Sequence, residues 1–222
     1  MKVLVFTCSN QRPHMLRQCI LSIRNQSYEN IVHSVNLTLR KNCTTTNYDM
    51  VYEDLIDKKT IISYSENVNQ NTNHLTAIKN IPDYESYDLF VKVDDDDIYK
   101  KDYIKNIVSF FENDNSVDVT SSKAKYQLNG FDIYQGNYKN LGANPANYEF
   151  NMPPTFAFNK KALASIINPT NQELVGYADM KWRNAWSKNN LVHKEIDNTS
   201  QWIWHIHGKN MTTSSFLKTP KI

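Results

Sequence analysis

Glycine is scarce in this chain: five residues in 222, none before Gly130. That leaves the first half without the material for a Gly-rich phosphate-binding loop or a dinucleotide fingerprint, both of which need glycine where the backbone turns against a phosphate. Three cysteines, Cys8, Cys19 and Cys43, are odd in number and have no paired metal spacing, so they argue against a disulfide framework and a zinc site and suit reduced thiols in a cytosol. Gly-x-Ser-x-Gly is absent, as are histidine runs. No apolar window approaches the roughly 18 residues of a membrane span. The opening Met1-Lys2-Val3-Leu4-Val5-Phe6 soon meets Thr7, Ser9, Asn10 and Arg12, which predicts a first strand instead of a signal peptide. A net charge of +2 is too mild to point to nucleic acid. The expectation is a cytoplasmic protein with at most peripheral contact at the inner face of a membrane. The Asn-x-Ser/Thr triplets at Asn36 and Asn198 are read as chance in an Asn-rich chain.

What is present alternates. Lys2 to Phe6 predicts a buried strand. Met15, Leu16, Cys19, Ile20 and Ile23 follow at helical spacing behind Pro13, which fits a first helical turn. Ile31 to Leu39 predicts a second strand, Val51 to Ile56 a short helix and Thr60 to Tyr64 a third strand. A helix carrying Leu75, Ala77, Ile78 and Ile81 is stopped by Pro82. Tyr103, Ile104, Ile107, Val108 and Phe111 make the clearest amphipathic helix, with Asp102 at its start. Such alternation implies an α/β fold, a mostly parallel central sheet flanked by helices, and the length fits a single domain. Beyond Asn113 the pattern loosens: Val117 to Ser121, Lys123 to Leu128, Asp132 to Tyr134 and Met152 to Phe158 are strand candidates, and Lys160 to Ile167 is a helix. Tyr134, Tyr138, Asn144 and Tyr148 are residue types that line sugar pockets.

The strongest chemical signal is Phe90-Val91-Lys92-Val93-Asp94-Asp95-Asp96-Asp97-Ile98-Tyr99. Strand alternation puts Leu89, Val91 and Val93 on one face and Phe90, Lys92 and Asp94 on the other, so four carboxylates begin where a buried strand emerges. Only Lys92, Lys100 and Lys101 lie nearby in sequence to offset them, and a hard divalent cation, Mn²⁺ or Mg²⁺, is the simplest resolution. An EF-hand loop fits poorly, because Ile98 and Tyr99 fall where an oxygen ligand and the turn glycine belong. A haloacid-dehalogenase type of phosphatase fits poorly as well, since its Asp-x-Asp follows the first strand of the core. A solvated acidic turn is the bland alternative.

Val93-Asp94-Asp95-Asp96-Asp97-Ile98-Tyr99 resembles the Asp-x-Asp signature of GT-A-fold glycosyltransferases. Val3 to Arg12, with Leu16, Cys19, Leu21-Ser22-Ile23 and Gln26-Ser27-Tyr28, is similar to the start of family 2 enzymes, and Lys92-Val93-Asp94-Asp95-Asp96 also resembles the fringe-like galactosyltransferases. The resemblance implies a single GT-A domain over 1–222, with a nucleotide-sugar half at 1–113, an acceptor half at 114–208 and a tail at 209–222. It implies transfer from a nucleoside-diphosphate donor, UDP-linked, to a glycan or lipid-linked acceptor with inversion. Thr7, Ser9, Asn10, Arg12, Asn71, Lys92, Asp94 and Asp95 are then the candidates for the donor, and Asp96, Asp94 and His207 those for the metal. Gly176-Tyr177-Ala178-Asp179-Met180-Lys181-Trp182-Arg183 is similar to the family's Glu-Asp motif. Ala178 stands where an acid is frequent, so the catalytic base rests on Asp179; an N-cap aspartate is the plainer alternative. In Trp202-Ile203-Trp204-His205-Ile206-His207-Gly208, a strand puts both histidines on one face about 6.6 Å apart. The rival functions are a metal-dependent phosphohydrolase and a non-catalytic carbohydrate-binding module of the same fold.

Overall fold

The structure is a computed structural model; it describes residues 1–10, 12–39, 52–66, 69–122, 125–128, 132–134, 155–168, 178–198 and 200–206, and gives the backbone course alone for 125–128, 132–134, 178–179 and 203–206. Strand β1 (Val3–Ser9) is buried along nearly its whole length. Its alternation divides the interior in two: Val3 and Val5 belong to one apolar cluster, Leu4 and Phe6 to another. A strand covered on both faces has no polar side to show, which is why the run reads as continuously apolar.

Helix α1 (Pro13–Arg24) starts on its proline and buries Leu16, Cys19, Ile20 and Ile23. Strand β2 (Ile31–Thr38) follows. The helix expected over Val51 to Ile56 is, among the described residues, a single 3-10 turn at Glu53–Leu55. Its two buried anchors, Tyr52 and Leu55, stand among acidic residues and are too few for an apolar stripe. Strand β3 (Thr60–Ser65), helix α2 (Gln70–Lys79) and strand β4 (Leu89–Lys92) complete the first run. Asn69 caps α2 by accepting the Thr72 N–H at 3.1 Å.

A two-residue strand β5 (Ile98–Tyr99) precedes helix α3 (Tyr103–Asn113). Asp102 does sit at the start of α3, but its carboxylate accepts from the Ser27 hydroxyl at 2.6 Å. The capping work is done from another element, by Gln26, whose Oε1 accepts the Ile104 N–H at 2.9 Å and whose amide donates to the Lys100 carbonyl at 2.7 Å. Five side chains of α3 are buried, each contributing roughly 1.5–3 kcal/mol if fully removed from water.

The second half supplies β6 (Val119–Ser122), β7 (Lys125–Leu128), β8 (Asp132–Tyr134), β9 (Ala157–Asn159), α4 (Lys160–Ala164), α5 (Ala178–Lys188), β10 (His193–Ile196) and β11 (Trp202–Ile206). The main sheet has the order β10-β6-β9-β4-β1-β2-β3. Strands β4, β1, β2 and β3 are mutually parallel, and β9 runs antiparallel between β4 and β6. A smaller sheet, β5-β11-β7-β8, lies at the exit of β4. Because β1 and β4 are parallel neighbours, Ser9 and Lys92 end on one edge of the sheet, the edge where open α/β folds bind ligands. No described helix is long and apolar enough to cross a membrane.

Candidate functional site

The expected alternation in β4 holds. Leu89, Val91 and Val93 join one core cluster and Phe90 the other, while Lys92 is buried on Phe90's side and its ammonium donates to Asp94 Oδ1 at 2.9 Å. The chain then turns through the four aspartates. The turn is closed by the Asp94 N–H, which donates to the Tyr99 hydroxyl at 2.8 Å.

The acids are not equivalent. Asp95 is 1% exposed; it accepts from the Ser9 hydroxyl and from Arg12, whose Nε lies 3.2 Å from Oδ2. Arg12 Nη1 also donates to Asp96, whose side chain is 8% exposed. Asp97 is buried as well, and its Oδ2 accepts the Trp202 indole N–H at 3.0 Å. Asp94, at 26%, is the most open of the four. Arg12 thus forks across two neighbouring carboxylates, a geometry that suits the planar guanidinium. Burial works against its charge, and Asp95, Asp96 and Asp94 outweigh that and raise its pKa. Burial pushes Asp95 above the usual carboxylate range, opposed by Arg12 and reinforced by Asp96.

This arrangement corrects one step of the sequence argument. Local lysines are not the sole counter-charge, because Arg12 arrives from the end of β1 to neutralise Asp95 and Asp96. The case for a cation therefore rests on the donor set: oxygen-only side chains, with Asp94 26% exposed beside Asp96, fit a hard ion that draws its other ligands from phosphate and water. Among the described residues no three His, Cys, Asp or Glu side chains group to hold a metal on their own.

The remaining candidates divide. Ser9, Arg12, Lys92, Asp94, Asp95 and Asp96 come together, and Asn10 is exposed beside them. Thr7 does not join: it is fully buried, and its hydroxyl shares a 2.9 Å hydrogen bond with His33 Nε2. Asn71, expected at the donor, is 1% exposed and accepts the Trp182 indole N–H at 2.6 Å, tying α2 to α5. Asp95 itself is 1% exposed and is the seat for Arg12 and Ser9. Asp179 is the second residue of α5, and its side chain lies outside the described residues. His207 lies outside them too, one residue beyond the end of β11, as do Tyr138, Asn144 and Tyr148 and residues 152–154 of the strand expected over Met152 to Phe158. Tyr99, Trp182 and Trp202 were not foreseen as supports. The Trp202 to Gly208 run drew notice for its two histidines, and nothing in the sequence signals the bond of Trp202 to Asp97.

The sequence model of glycosyl transferase family 2 matches residues 3–167, from β1 through the acid turn to just past α4. The chain belongs to glycosyl transferase family 2. It therefore carries a glycosyltransferase domain, and the sheet described above is the GT-A arrangement of that family. S. aureus TarS 1–349 superposes with a TM-score of 0.65 at 17% identity, over 92% of this chain and 60% of that one. The same protein in complex with UDP-GlcNAc gives 0.66 at 15% identity, over 100% and 62%. The mannosyltransferase PcManGT from Pyrobaculum calidifontis, in complex with GDP-Man and Mn²⁺, gives 0.68 at 14% identity, over 94% and 58%. The chain thus spans about 60% of the length of these proteins, and at such identities the likeness is one of fold. No curated protein shows significant sequence similarity to the chain.

Proposed function

We propose that this family 2 domain transfers a sugar from a nucleoside-diphosphate donor, UDP-linked, to a hydroxyl of a glycan or lipid-linked acceptor, using Mn²⁺ or Mg²⁺ and inverting the anomeric carbon. The observation that carries the reading is the convergence of Ser9, Arg12 and Asp94 to Asp96 at the shared edge of β1 and β4. Support for the donor class comes from TarS, solved with UDP and with UDP-GlcNAc, and from PcManGT, solved with GDP-Man and Mn²⁺. In this reading residues 1–113 serve the donor and 114–208 the acceptor.

Asp96 and Asp94, with His207, are the residues that would hold the cation. Its chemistry is Lewis-acid stabilisation of the charge developing on the departing diphosphate. The rest falls to the chain. Lys92 sets the Asp94 carboxylate, and Arg12, seated on Asp95, which the Ser9 hydroxyl also bonds, holds Asp96. Asn10 stands exposed where the nucleotide would lie. Asp179 accepts the proton of the acceptor hydroxyl as that oxygen attacks the anomeric carbon. The new C–O bond forms as the bond to the phosphate oxygen breaks, and the electron pair leaves with the nucleoside diphosphate. Thr7 and Asn71 belong to the framework in this scheme.

Calorimetric titration with UDP, with GDP in parallel, in the presence and absence of Mn²⁺ tests the donor site. Asp96→Asn should weaken Mn²⁺-dependent binding about tenfold or more, as expected when a charged partner of a bound group is lost; unchanged affinity would sink the assignment. Asp179→Asn should lower transfer by a factor of ~10²–10⁴, the usual weight of a general base, and leave nucleotide affinity nearly intact. Full transfer by that variant rules the base role out, and phosphate release from simple esters without transfer would favour the phosphohydrolase instead.

A further inference from the structure

We propose that Asp97 and Trp202 are positioning residues for the donor site, and that their buried hydrogen bond fixes the acid turn to strand β11 so that Asp94 and Asp96 keep their aim. The inference rests on the donor-site reading above and deepens it by giving the fourth aspartate a task other than metal or nucleotide contact.

The turn is pinned on three sides. At its entry the Val93 N–H donates to the Phe6 carbonyl at 3.1 Å, which continues the pairing of β4 with β1. In its middle, Asp95 is gripped by Ser9 and Arg12. At its exit Asp97 meets the Trp202 indole. The segment after Asp97 is then zipped to the start of β11: Ile98 pairs with Ile203 and Tyr99 with Trp202. The Lys100 N–H donates to the Gln201 carbonyl at 2.7 Å, and the Asp102 N–H to Gln201 Oε1 at 3.1 Å. Asp96 thus lies between two anchored neighbours, Asp95 and Asp97, and its direction is set by both.

A carboxylate is a costly choice for this place. Trp202 is fully buried and Asp97 nearly so, and an apolar residue would pack against the indole ring without desolvating a charge. What the carboxylate adds is direction, since the indole has one N–H donor and the bond holds the turn at one orientation. Trp202 also lies outside residues 3–167, the part that the family 2 model matches. The acid turn is therefore held by a strand that the matched segment does not contain. A loosely supported site loses function with shifts of about 1 Å, so this remote anchor has consequences for the diphosphate end of the donor.

The test uses the full chain and four variants. Trp202→Phe keeps a ring and removes the N–H. Asp97→Asn keeps an acceptor for that N–H and removes the charge. Asp97→Leu removes the acceptor, and Asp97→Leu/Trp202→Phe replaces both partners of this bond, so that neither is orphaned by the loss of the other. Thermal melts establish that each is folded at the titration temperature, and calorimetry then measures UDP and GDP affinity with saturating Mn²⁺ and with chelator. Trp202→Phe, Asp97→Leu and the double variant should lose about tenfold or more of the Mn²⁺-dependent affinity, roughly 1.4 kcal/mol per tenfold. Their metal-free nucleotide affinity should stay within about twofold, and Asp97→Asn should bind like the parent. Parental Mn²⁺-dependent affinity in the double variant overturns the positioning role and leaves the donor site standing. An equal loss without metal overturns it in favour of general loosening. Asp97→Asn as weak as Asp97→Leu overturns the hydrogen-bond account in favour of charge. A parent chain with no Mn²⁺-dependent nucleotide binding removes the donor-site reading and this inference together.

Discussion

Acid should strike this fold at His33, beneath the donor site. The ring is 1% exposed, and burial holds its pKa down at about 3 against an ordinary 6.5. Its Nε2 is bonded to the Thr7 hydroxyl, while Nδ1 is buried with no hydrogen-bond partner among the described residues. Protonation would put a charge and a second donor into an apolar interior. The sign follows from proton counting: between pH 6.5 and 3 the unfolded chain binds a proton at this residue and the folded chain does not. The stability contributed by the neutral ring is therefore full above pH 6.5 and is lost as the pH falls toward 3. Integrating between the two values gives a loss of about 2 kcal/mol from pH 7 to pH 5, and a limit of about 5 kcal/mol at low pH. His74, also fully buried with a depressed pKa, adds in the same direction. Equilibrium urea unfolding of the parent and of Thr7→Val/His33→Leu at pH 7 and pH 5 measures the term, since the double replacement removes both polar partners at once. The acid-induced loss should shrink by about 2 kcal/mol in the variant. If the two proteins lose the same amount, within about 0.5 kcal/mol, His33 is not buried neutral and the reasoning fails. Nucleotide affinity of Thr7→Val should stay within about twofold; a large drop would return Thr7 to the donor pocket.

Arg12→Met should destabilise the fold by about 3 kcal/mol, because it leaves two largely buried carboxylates facing each other, and Arg12→Lys should recover only part of this for want of the fork; urea midpoints of all three proteins check it. Loss of either partner of the Asn71–Trp182 bond, by Asn71→Leu or Trp182→Phe, should cost about 1–3 kcal/mol by orphaning a buried polar group. Asn71→Asp, which keeps an acceptor, should cost less than Asn71→Leu; equal losses would show that the bond is not what the site depends on.

How much of this was legible depends on the range of the interaction. Period-two alternation placed Leu89, Val91 and Val93 against Phe90 and Lys92 correctly, and helical spacing placed α1 and α3, since both are properties of neighbouring residues. Strand β10 was missed because His193-Lys194-Glu195-Ile196 is a mostly polar edge segment with little apolar pattern to detect. The partners of the acid turn lie far off in sequence, Arg12 over 80 residues before it and Trp202 105 residues from Asp97. No window of periodicity reaches that distance. Asn71 was drawn to the donor by the company of other asparagines, and one of its partners, Trp182, is 111 residues away.

Strand β9 has a consequence for how the chain can be cut. It lies between β4 and β6 and runs against both, so the strand that delivers the aspartates has one flank made by Ala157–Asn159. A fragment of residues 1–113 would keep Ser9, Arg12 and Asp94 to Asp97, yet carry β4 with an open row of backbone N–H and C=O groups, a ready template for pairing with another chain. Residues on either side of 113 share one hydrogen-bonded sheet, and β4 acquires a closed edge only after β9 has been made.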